Sequence, residues 1–198
     1  MIPILILAGG SSSRMGGADK LLEPVGGVPL LRHVVEEALA TGHAVSVALP
    51  IGAEARRATL VGLEVAVHEI AAAAEGMGGT LREAVHALPR CPAFLVMLAD
   101  LPELTGGDMA SVIAARGTHP EALIWRGATA NGKPGHPILF DAALRSEFAE
   151  LNGDTGAATI VARHSERVHL VRLDGARART DLDTPEDWAA WRASRPNG

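Results

Sequence analysis

The amino-acid sequence predicts an α/β fold, a three-layer α/β/α sandwich with a Rossmann-like, mostly parallel sheet. Short apolar runs alternate along the chain with segments whose apolar residues recur at helical spacing, and glycine or proline marks most boundaries. Consecutive parallel strands need crossover helices between them, so this alternation is typical of a sheet covered by helices on both faces. Ligands of such open sheets bind beyond the carboxyl ends of the strands, where we therefore expect a functional site.

The first strand and the first helix have the clearest patterns. Residues 2–7 form a continuous apolar run, rich in β-branched residues, that ends in glycines, which is typical of a strand buried on both faces. Residues 29–40 place apolar side chains at helical spacing, and Thr41 and Gly42 end the predicted helix. The chain therefore begins with a strand and a helix, in the order that an α/β sandwich requires.

The remaining elements repeat this alternation. Short apolar runs predict strands over residues 44–49, 63–67, 94–98, 123–125, 137–140 and 168–173. Helical spacing predicts helices over residues 53–60, 80–88, 108–115, 142–150, 155–163 and 185–193. The irregular stretch 126–135 is a candidate active-site loop. Because no repeat or linker interrupts the pattern, we expect residues 1–198 to form a single domain.

Composition narrows the classes of partner. Hydrophobic residues make up 47% of the 198 residues, and the formal net charge of -5 offers no cationic surface to nucleic acid. Aromatic residues are only 3%, so stacking platforms for bases are not expected. Cys91 is the only cysteine, which excludes an internal disulfide and fits a cytoplasmic location. The apolar start of the chain is too short to span a bilayer, so no membrane partner is expected.

A glycine-rich segment follows the first predicted strand, where α/β sandwiches bind phosphate. Glycines let the backbone approach an anion, and consecutive N–H groups and hydroxyls donate to phosphate oxygens. The segment is not a Walker A loop, because Leu21 follows its lysine. A flexible connector is the alternative interpretation. The functional interpretation predicts that a nucleotide is bound by Leu7, Ala8, Gly9, Gly10, Ser11, Ser12, Ser13, Arg14 and Lys20.

The segment from residue 7 to residue 22 reads L-A-G-G-S-S-S-R-M-G-G-A-D-K-L-L. It resembles the signature of the nucleotidyltransferases that complete the molybdenum cofactor by attaching CMP or GMP to the terminal phosphate of molybdopterin. The resemblance runs along nearly the whole chain and implies one MobA-like NTP transferase domain with the sandwich of the nucleotide-diphospho-sugar transferases. It further implies an NTP and a phosphorylated small molecule as partners, a molybdoenzyme as a client, and Mg²⁺ as cofactor. The catalytic residues that it implies are Arg14, Lys20 and Asp100.

Asp100 ends the most apolar strand of the middle of the chain. Pro102 forces Leu101 out of the helical region, so that the chain turns sharply just beyond the carboxylate. A carboxylate at the end of a strand suits Mg²⁺, which takes one or two carboxylates together with phosphate oxygens and water. The resemblance also makes Asp100 a metal ligand. The alternative is a helix N-cap or a turn aspartate.

A second acidic cluster precedes the last predicted helix. It resembles a family segment in which one polar side chain helps to hold the metal, and we favour Asp181 as this ligand, with Asp183 second. Thr184 and Asp187 also resemble a capping box, with Asp in place of the usual Glu. Both interpretations can hold, because the cap follows the proposed ligands.

Three further motifs extend the resemblance. Gly76, Gly78 and Thr80 belong to a G-M-G-G-T-L segment that lies near the nucleotide in the family, although Thr80 also fits a helix cap. Acceptor binding is implied for the G-H-P segment and for the following D-T-G, which together contain Gly135, His136, Pro137, Asp154, Thr155 and Gly156. A lone histidine such as His136 is alternatively structural. The arginine of the family's G-D-x-G-A-R segment is replaced by Ala158, and Arg163 is a candidate to compensate.

The motifs disagree about which NTP is the donor. L-A-G-G is typical of guanylyl members, whereas the other three motifs resemble cytidylyl members. We therefore expect CTP, with GTP as the alternative. A sugar-phosphate or other small-phosphate nucleotidyltransferase is a second alternative. A nucleotide sensor or cofactor chaperone is a third, although such a protein has no need to keep both Lys20 and Asp100.

Overall fold

A seven-stranded, mostly parallel sheet runs through the middle of the protein in this computed structural model, which describes residues 1–10 and 12–195. The strands of this part of the chain are β1 (Ile4–Leu7), β2 (Pro24–Val25), β3 (Val28–Pro29), β4 (Val45–Pro50), β5 (Ala66–Ile70), β6 (Ala93–Leu98), β7 (Ile124–Ala128), β8 (Pro134–Asp141) and β9 (Val168–Arg172). The order in the large sheet is β5-β4-β1-β6-β8-β7-β9, and β2 pairs with β3 in a separate hairpin. Only β8 is antiparallel to its neighbours, so the predicted mostly parallel sheet is confirmed.

Helices cover both faces of the sheet. They are α1 (Leu30–Leu39), α2 (Glu54–Ala58), α3 (Met77–Ala87), α4 (Gly106–Thr118), α5 (Arg145–Phe148), α6 (Ala158–Arg163) and α7 (Pro185–Ala193). None of the described helices is both long enough and apolar enough to cross a membrane. The helices of the two faces form the outer layers of the predicted α/β/α sandwich.

Alternate residues of the central strands form two separate cores. Ile4 and Ile6 of β1 pack on one face with the apolar side of α1, whereas Leu5 and Leu7 pack on the other face with α3. Successive side chains of a strand point to opposite faces, so a strand that is buried on both faces needs an apolar residue at every position. Each large side chain buried in this way contributes about 1.5–3 kcal/mol. The three-layer sandwich predicted from the sequence is confirmed.

The register of the central strands places their carboxyl ends together. Leu7 at the end of β1 pairs with Leu98 at the end of β6, and with Ala48 near the end of β4. All three strands are parallel, so the segments that follow them leave the sheet at the same edge. This edge brings the glycine-rich segment next to the segment that contains Asp100.

Several elements differ from the prediction in their boundaries. β5 begins three residues later than the predicted strand 63–67, because Ala66 to Ile70 pair in register with β4. α3 begins at Met77 rather than residue 80, since its glycines are helical. Half of the predicted loop 126–135 is strand, because Ala128 pairs with Pro134 and leaves a turn over residues 129–133. The β2–β3 hairpin was not predicted, because each strand has only two residues.

Candidate active site at the carboxyl edge of the sheet

Lys20 lies between two carboxylates at the carboxyl edge of the sheet. Its Nζ is 2.6 Å from Oδ2 of Asp100 and 2.6 Å from Oδ1 of Asp183. The three residues are far apart in sequence: Lys20 belongs to the loop after β1, Asp100 follows β6, and Asp183 precedes α7. The fold therefore brings together the lysine predicted to be catalytic and two of the three carboxylates predicted to bind metal.

The two carboxylates keep the ammonium group of Lys20 charged. Its side chain is only 10% exposed. Burial by itself lowers the pKa of Lys20, but Asp100 and Asp183 outweigh this effect and raise the pKa above its ordinary value. Lys20 is therefore a fixed positive charge at neutral pH, suited to stabilising an anion.

Arg14 reaches the same cluster from the solvent side. Its Nη2 is 2.6 Å from Oδ2 of Asp183, and its side chain is 69% exposed. Such exposed ion pairs contribute only about 0–1 kcal/mol, so reorientation of Arg14 toward a bound anion costs little. Arg14 therefore lies at the same cluster as Lys20, and its role in neutralising phosphate charge stays a prediction.

One oxygen of Asp100 has no partner among the described residues. Oδ1 is buried and accepts no hydrogen bond there, which is costly for a carboxylate oxygen. No group of three or more His, Cys, Asp or Glu side chains in residues 1–10 and 12–195 is arranged to hold a metal. Two carboxylates suffice for Mg²⁺ when phosphate oxygens and water complete its shell. The free oxygen of Asp100 and the neighbouring carboxylate of Asp183 fit such an ion.

Asp181 lies apart from this cluster. It is exposed, and no ion pair of its carboxylate occurs in the described part of the chain. It lines a different cavity, of about 190 Å³, together with Arg126 and Arg179. The arrangement favours Asp183 over Asp181 as the partner of Asp100, the reverse of the order expected from the sequence.

Arg56 of α2 holds the glycine-rich segment in shape, and the sequence did not indicate it. Its Nη1 donates to the carbonyl of Ala8 at 2.6 Å, and its Nη2 donates to the carbonyl of Gly10 at 2.7 Å. Its Nε is 2.6 Å from Oδ2 of Asp19. Burial by itself raises the pKa of Asp19, but the hydrogen bonds and charge of Arg56 outweigh this effect, and the pKa lies below its ordinary value. One buried guanidinium thus ties the start of the loop to its end, next to Lys20.

A cavity of about 370 Å³ opens between the glycine-rich segment and Asp100. Four motifs that are distant in sequence contribute to its walls. Its lining includes the predicted nucleotide-binding and metal-binding residues Leu7, Ala8, Gly9, Gly10, Lys20, Gly76, Thr80 and Asp100, and the predicted acceptor residue Asp154. Its volume lies in the range of about 300–1,000 Å³ that is typical of small-molecule sites.

The start of α3 packs directly against the loop that contains Asp154. The N–H of Gly78 donates to the carbonyl of Gly153 at 2.8 Å. A Cβ at Gly78 would lie 2.5 Å from the carbonyl oxygen of Asn152, and one at Gly76 would lie 2.4 Å from Oδ1 of Asp154. Glycine is therefore required at both positions for the two motifs to meet.

Thr80 does not cap α3, so the alternative interpretation of this residue is wrong. The helix begins three residues earlier with Gly76 as its N-cap, and the Thr80 hydroxyl donates to the carbonyl of Gly76 at 3.1 Å. The predicted capping box of α7 is confirmed, because Thr184 and Asp187 exchange side-chain-to-backbone hydrogen bonds.

Several predicted residues lie beside the cavity rather than in its walls. Ser12 has a structural role, since its hydroxyl donates to Asp19 and accepts from the N–H of Lys20. Ser13 and Thr155 are exposed, and Pro137 is buried in β8. Ser11 lies outside the described residues.

A neighbouring cavity of about 200 Å³ contains His136, Gly156 and Arg126. Burial, and then the charge of Arg126, lower the pKa of His136 to about 4. His136 is therefore uncharged at neutral pH and does not supply a positive charge to an acceptor phosphate. Arg163, the predicted replacement for the missing family arginine, instead pairs with Glu147. Gly135 lies in the adjoining 190 Å³ cavity, where its carbonyl accepts a hydrogen bond from Arg126.

A larger hollow of about 730 Å³ lies away from these residues, between α3 and α5. The guanidinium of Arg145, which lines this hollow, donates to the backbone carbonyls of Val85, Leu88 and Pro89 at the end of α3. An arginine at that position satisfies the free carbonyls of a helix C-terminus. This hollow therefore has a structural explanation, and the smaller cavity beside Lys20 is the one lined by the predicted site residues.

Comparison with known proteins identifies the family of the chain. Residues 4–168 match the family model described as the MobA-like NTP transferase domain. The bifunctional protein GlmU of Leifsonia xyli subsp. xyli (strain CTCB07) is 37% identical over 119 residues, and the match spans 58% of this chain but only 24% of GlmU. Nicotine blue oxidoreductase of Paenarthrobacter nicotinovorans is 27% identical over 191 residues, which are 92% of each chain.

Solved structures show the same fold. The crystal structure of Rv0371c from Mycobacterium tuberculosis H37Rv has a TM-score of 0.81 at 30% identity and covers 98% of this chain and 99% of that one. The structure of Rv0371c in complex with manganese has a TM-score of 0.79 at 27% identity, with the same coverage of both chains. A protein of this fold therefore binds a divalent ion.

Proposed function

The chain belongs to the MobA-like NTP transferase domain family, and we propose that it transfers CMP from CTP to molybdopterin with release of pyrophosphate. Its membership of the nucleotidyltransferase superfamily supports an enzymatic role. The choice of donor and acceptor rests on the motifs near Gly76, Gly135 and Asp154, which resemble cytidylyl members. GTP as the donor, on the same acceptor, is the first alternative.

One observation carries the proposal: Lys20 is held between Asp100 and Asp183 beside a cavity walled by a glycine-rich backbone. A triphosphate needs backbone donors, fixed cations and carboxylates that bind a divalent ion. All three are present at one edge of the sheet. A binding protein without turnover has no need for a lysine that is held so close to two carboxylates.

The reaction that we propose is an in-line displacement at the α-phosphorus of the NTP. An oxygen of the acceptor phosphate forms the new bond to phosphorus, and pyrophosphate leaves with the electrons of the broken bond. Because the acceptor phosphate is ionised near neutral pH, no general base is required, and none is evident at Lys20 and Asp100. The protein mainly orients two anions that repel each other.

Lys20 and Arg14 neutralise the charge that develops on the α-phosphate and on the departing pyrophosphate. Asp100 and Asp183 are the residues that would hold Mg²⁺, which supplies charge neutralisation between the two phosphate-bearing reactants. The structure of Rv0371c in complex with manganese supports a divalent ion as cofactor in a protein of this fold. Mg²⁺ is our choice among such ions because the proposed ligands are carboxylates and phosphate oxygens.

The proposal is tested by pyrophosphate release with each of the four NTPs, with and without molybdopterin. Release only with CTP and molybdopterin supports it. Release only with GTP moves the assignment to guanylyl transfer, and release only with sugar phosphates moves it to sugar nucleotide synthesis. Tight NTP binding without turnover would favour a sensor or chaperone. Turnover of nicotine blue without any NTP would instead point to the activity for which the Paenarthrobacter relative is named.

A molybdoenzyme client is part of the same proposal, because a completed molybdenum cofactor must be delivered to an enzyme. We also expect residues 1–198 to act as one domain. Co-purification of a molybdoenzyme with the full chain, dependent on added CTP and molybdopterin, checks the first expectation. A single cooperative unfolding transition checks the second.

A further inference from the structure

The ammonium group of Lys20 contacts the carboxylate oxygens that a divalent ion would need. Its Nζ is 2.6 Å from Oδ2 of Asp100 and 2.6 Å from Oδ1 of Asp183. The other oxygen of Asp183 is 2.6 Å from Nη2 of Arg14. Of the four oxygens of the two carboxylates, only Oδ1 of Asp100 has no partner among the described residues. The other oxygens are therefore already paired with cations of the chain.

The cluster is also electrically neutral. Its two basic side chains, Lys20 and Arg14, balance the carboxylates of the two aspartates. Asp181 lines a different cavity, and no group of three or more His, Cys, Asp or Glu side chains in the described part of the chain is arranged to hold a metal. A divalent ion at this cluster would meet no net attraction and would lie close to a buried ammonium, whose repulsion is strongest where water is scarce. The free chain is therefore poorly suited to binding the ion alone.

The backbone at Lys20 is fixed, whereas its side chain is able to change partners. The N–H of Lys20 donates to Oγ of Ser12 at 3.2 Å, and the preceding Asp19 is held by Arg56. A lysine ammonium is a compact charge on a flexible stem. Lys20 also lines the 370 Å³ cavity that is walled by the glycine-rich backbone. The ammonium therefore needs only a side-chain rotation to turn from the carboxylates to an anion in this cavity.

A triphosphate in the cavity would supply the partner that the ammonium loses. Without such an anion, Lys20 cannot leave the carboxylates cheaply, because a buried charge without a partner is costly. Phosphate oxygens remove this cost by accepting charge-assisted hydrogen bonds. The oxygens of Asp100 and Asp183 are then available to a divalent ion. Each of these charges has a partner both before and after the exchange.

We infer that Lys20 is an internal competitor of the divalent ion: it closes the two aspartates to the ion in the free chain and opens them when a triphosphate binds. The ion is then bound together with the triphosphate rather than before it. This inference rests on the proposed function and assigns the regulation of its metal site. By linkage, the triphosphate and the ion raise each other's affinity by the same factor.

The test uses Mn²⁺ alone as the probe, and electron paramagnetic resonance measures its binding to the full chain. Lys20→Met nearly keeps the length of the side chain and removes its charge. We expect this variant to bind Mn²⁺ at least about tenfold more tightly than the natural chain, because the competing charge is gone and the cluster becomes negative. Equal affinities in the natural chain and in folded Lys20→Met would overturn the inference.

The chain offers a matched control for the loss of a charge. Lys133 is the other lysine of the sequence, and it is exposed and does not line the cavity beside Lys20. Lys133→Met changes the net charge by the same amount as Lys20→Met, and it should leave the Mn²⁺ affinity unchanged. An equal gain in both variants would mean that net charge alone attracts the ion, which would overturn the role of Lys20.

Double variants show where the additional Mn²⁺ binds. Lys20→Met combined with Asp183→Asn should lose the gain in affinity, because it removes one of the carboxylates that Lys20 had paired. Lys20→Met combined with Asp181→Asn should keep the gain, since Asp181 lines another cavity. A gain that persists without Asp183 would place the ion elsewhere and would overturn competition at this site.

Thermal unfolding with and without Mn²⁺ keeps the test valid if Lys20→Met is unstable. A ligand that binds only the folded chain raises its melting temperature. Mn²⁺ should therefore stabilise Lys20→Met more than it stabilises the natural chain. Lys20→Gln, which keeps a hydrogen-bond donor but no charge, should behave in the same way. The absence of any additional stabilisation in both variants would overturn the inference.

CTP and GTP binding, measured on the same preparations, keeps this inference separate from the proposed function. If neither NTP binds the natural chain but Lys20→Met gains affinity for Mn²⁺, the proposed function fails and the competition between Lys20 and the ion stands. If an NTP binds and is turned over by the natural chain but Lys20→Met gains no affinity for Mn²⁺, the inference fails and the proposed function stands.

Discussion

The cavity beside Lys20 and the cavity beside Arg126 meet at Leu98. They differ in whether the cations that line them have carboxylate partners. On the nucleotide side each buried cation has carboxylate partners within the chain: Lys20 has two, and Arg56 has Asp19. Arg126, beside the second cavity, has no carboxylate partner among the described residues. The charges around the proposed nucleotide site are therefore neutralised within the chain, whereas the charge of Arg126 is not.

The largest expected effect follows from removing the charges of the nucleotide side. Lys20→Ala and Asp100→Ala are each expected to lower the rate by about 10²-fold or more, since we propose that both residues help to stabilise charge in the transition state. Pyrophosphate release under saturating NTP measures the effect, and circular dichroism checks that the fold survives. Near-normal turnover in either folded variant would contradict the role assigned to that residue.

Arg56 tests whether the nucleotide loop is held in shape before it binds. Arg56→Met is expected to lower the free energy of unfolding by about 3 kcal/mol, because it leaves Asp19 and two loop carbonyls without their partner. Arg57→Met is the matched control: it breaks an exposed pair with Glu69, which is expected to contribute about 0–1 kcal/mol. Urea unfolding of both variants gives the comparison, and equal losses would show that the buried network has no special role.

The two aspartates before α7 sharpen the assignment of the metal site. Asp183→Asn is expected to raise the concentration of Mg²⁺ or Mn²⁺ needed for half-maximal activity by about tenfold or more, because it removes a proposed ligand. Asp181→Asn should change this concentration much less, since its carboxylate does not contact Lys20. The reverse result would restore the order expected from the sequence.

The residues of the two cavities also differ in how well the sequence predicted them. The glycine-rich segment and Asp100 have local signatures, because glycine spacing and an acid at the end of an apolar strand are visible within a few residues. Arg56 reaches Asp19 across 37 residues and Ala8 across 48, and nothing near Arg56 in sequence marks it. The sequence predicted Arg126 to begin a loop, and its pairing with Ile138 of β8 and Leu170 of β9 places it in the sheet instead.

The same physics explains which fold boundaries were predicted. The positions of β1 and α1 were predicted well. Burial of β1 on both faces requires a continuous apolar run, and burial of α1 on one face requires apolar residues at helical spacing. The start of α3 was missed because glycines normally end helices. Here Gly76 and Gly78 are required by the loop of residues 152–154, a contact from a different part of the chain. The start of α3 is therefore set by contacts with a distant segment, which override the low helix propensity of glycine.

The smallest expected effect is a change in stability with pH due to His136, which tests whether the cavity that contains this residue is apolar. Burial and Arg126 hold its pKa at about 4, against 6.5 for an unperturbed histidine. As the pH falls, the unfolded chain takes up this proton first, so the stability that is fully present above pH 6.5 is lost toward pH 4. The loss due to His136 alone is expected to be about 1 kcal/mol between pH 6.5 and pH 5.5.

Urea unfolding of the natural chain and of His136→Gln at pH 7.5, 6.5 and 5.5 isolates this contribution from that of the other titrating groups. The variant should lose less stability over this interval, whereas His86→Gln, at an exposed histidine, should follow the natural chain. Parallel curves for all three proteins would mean that His136 is protonated as readily as a solvated histidine. In that case the cavity beside His136 is hydrated and polar, and it does not differ in this respect from the cavity beside Lys20.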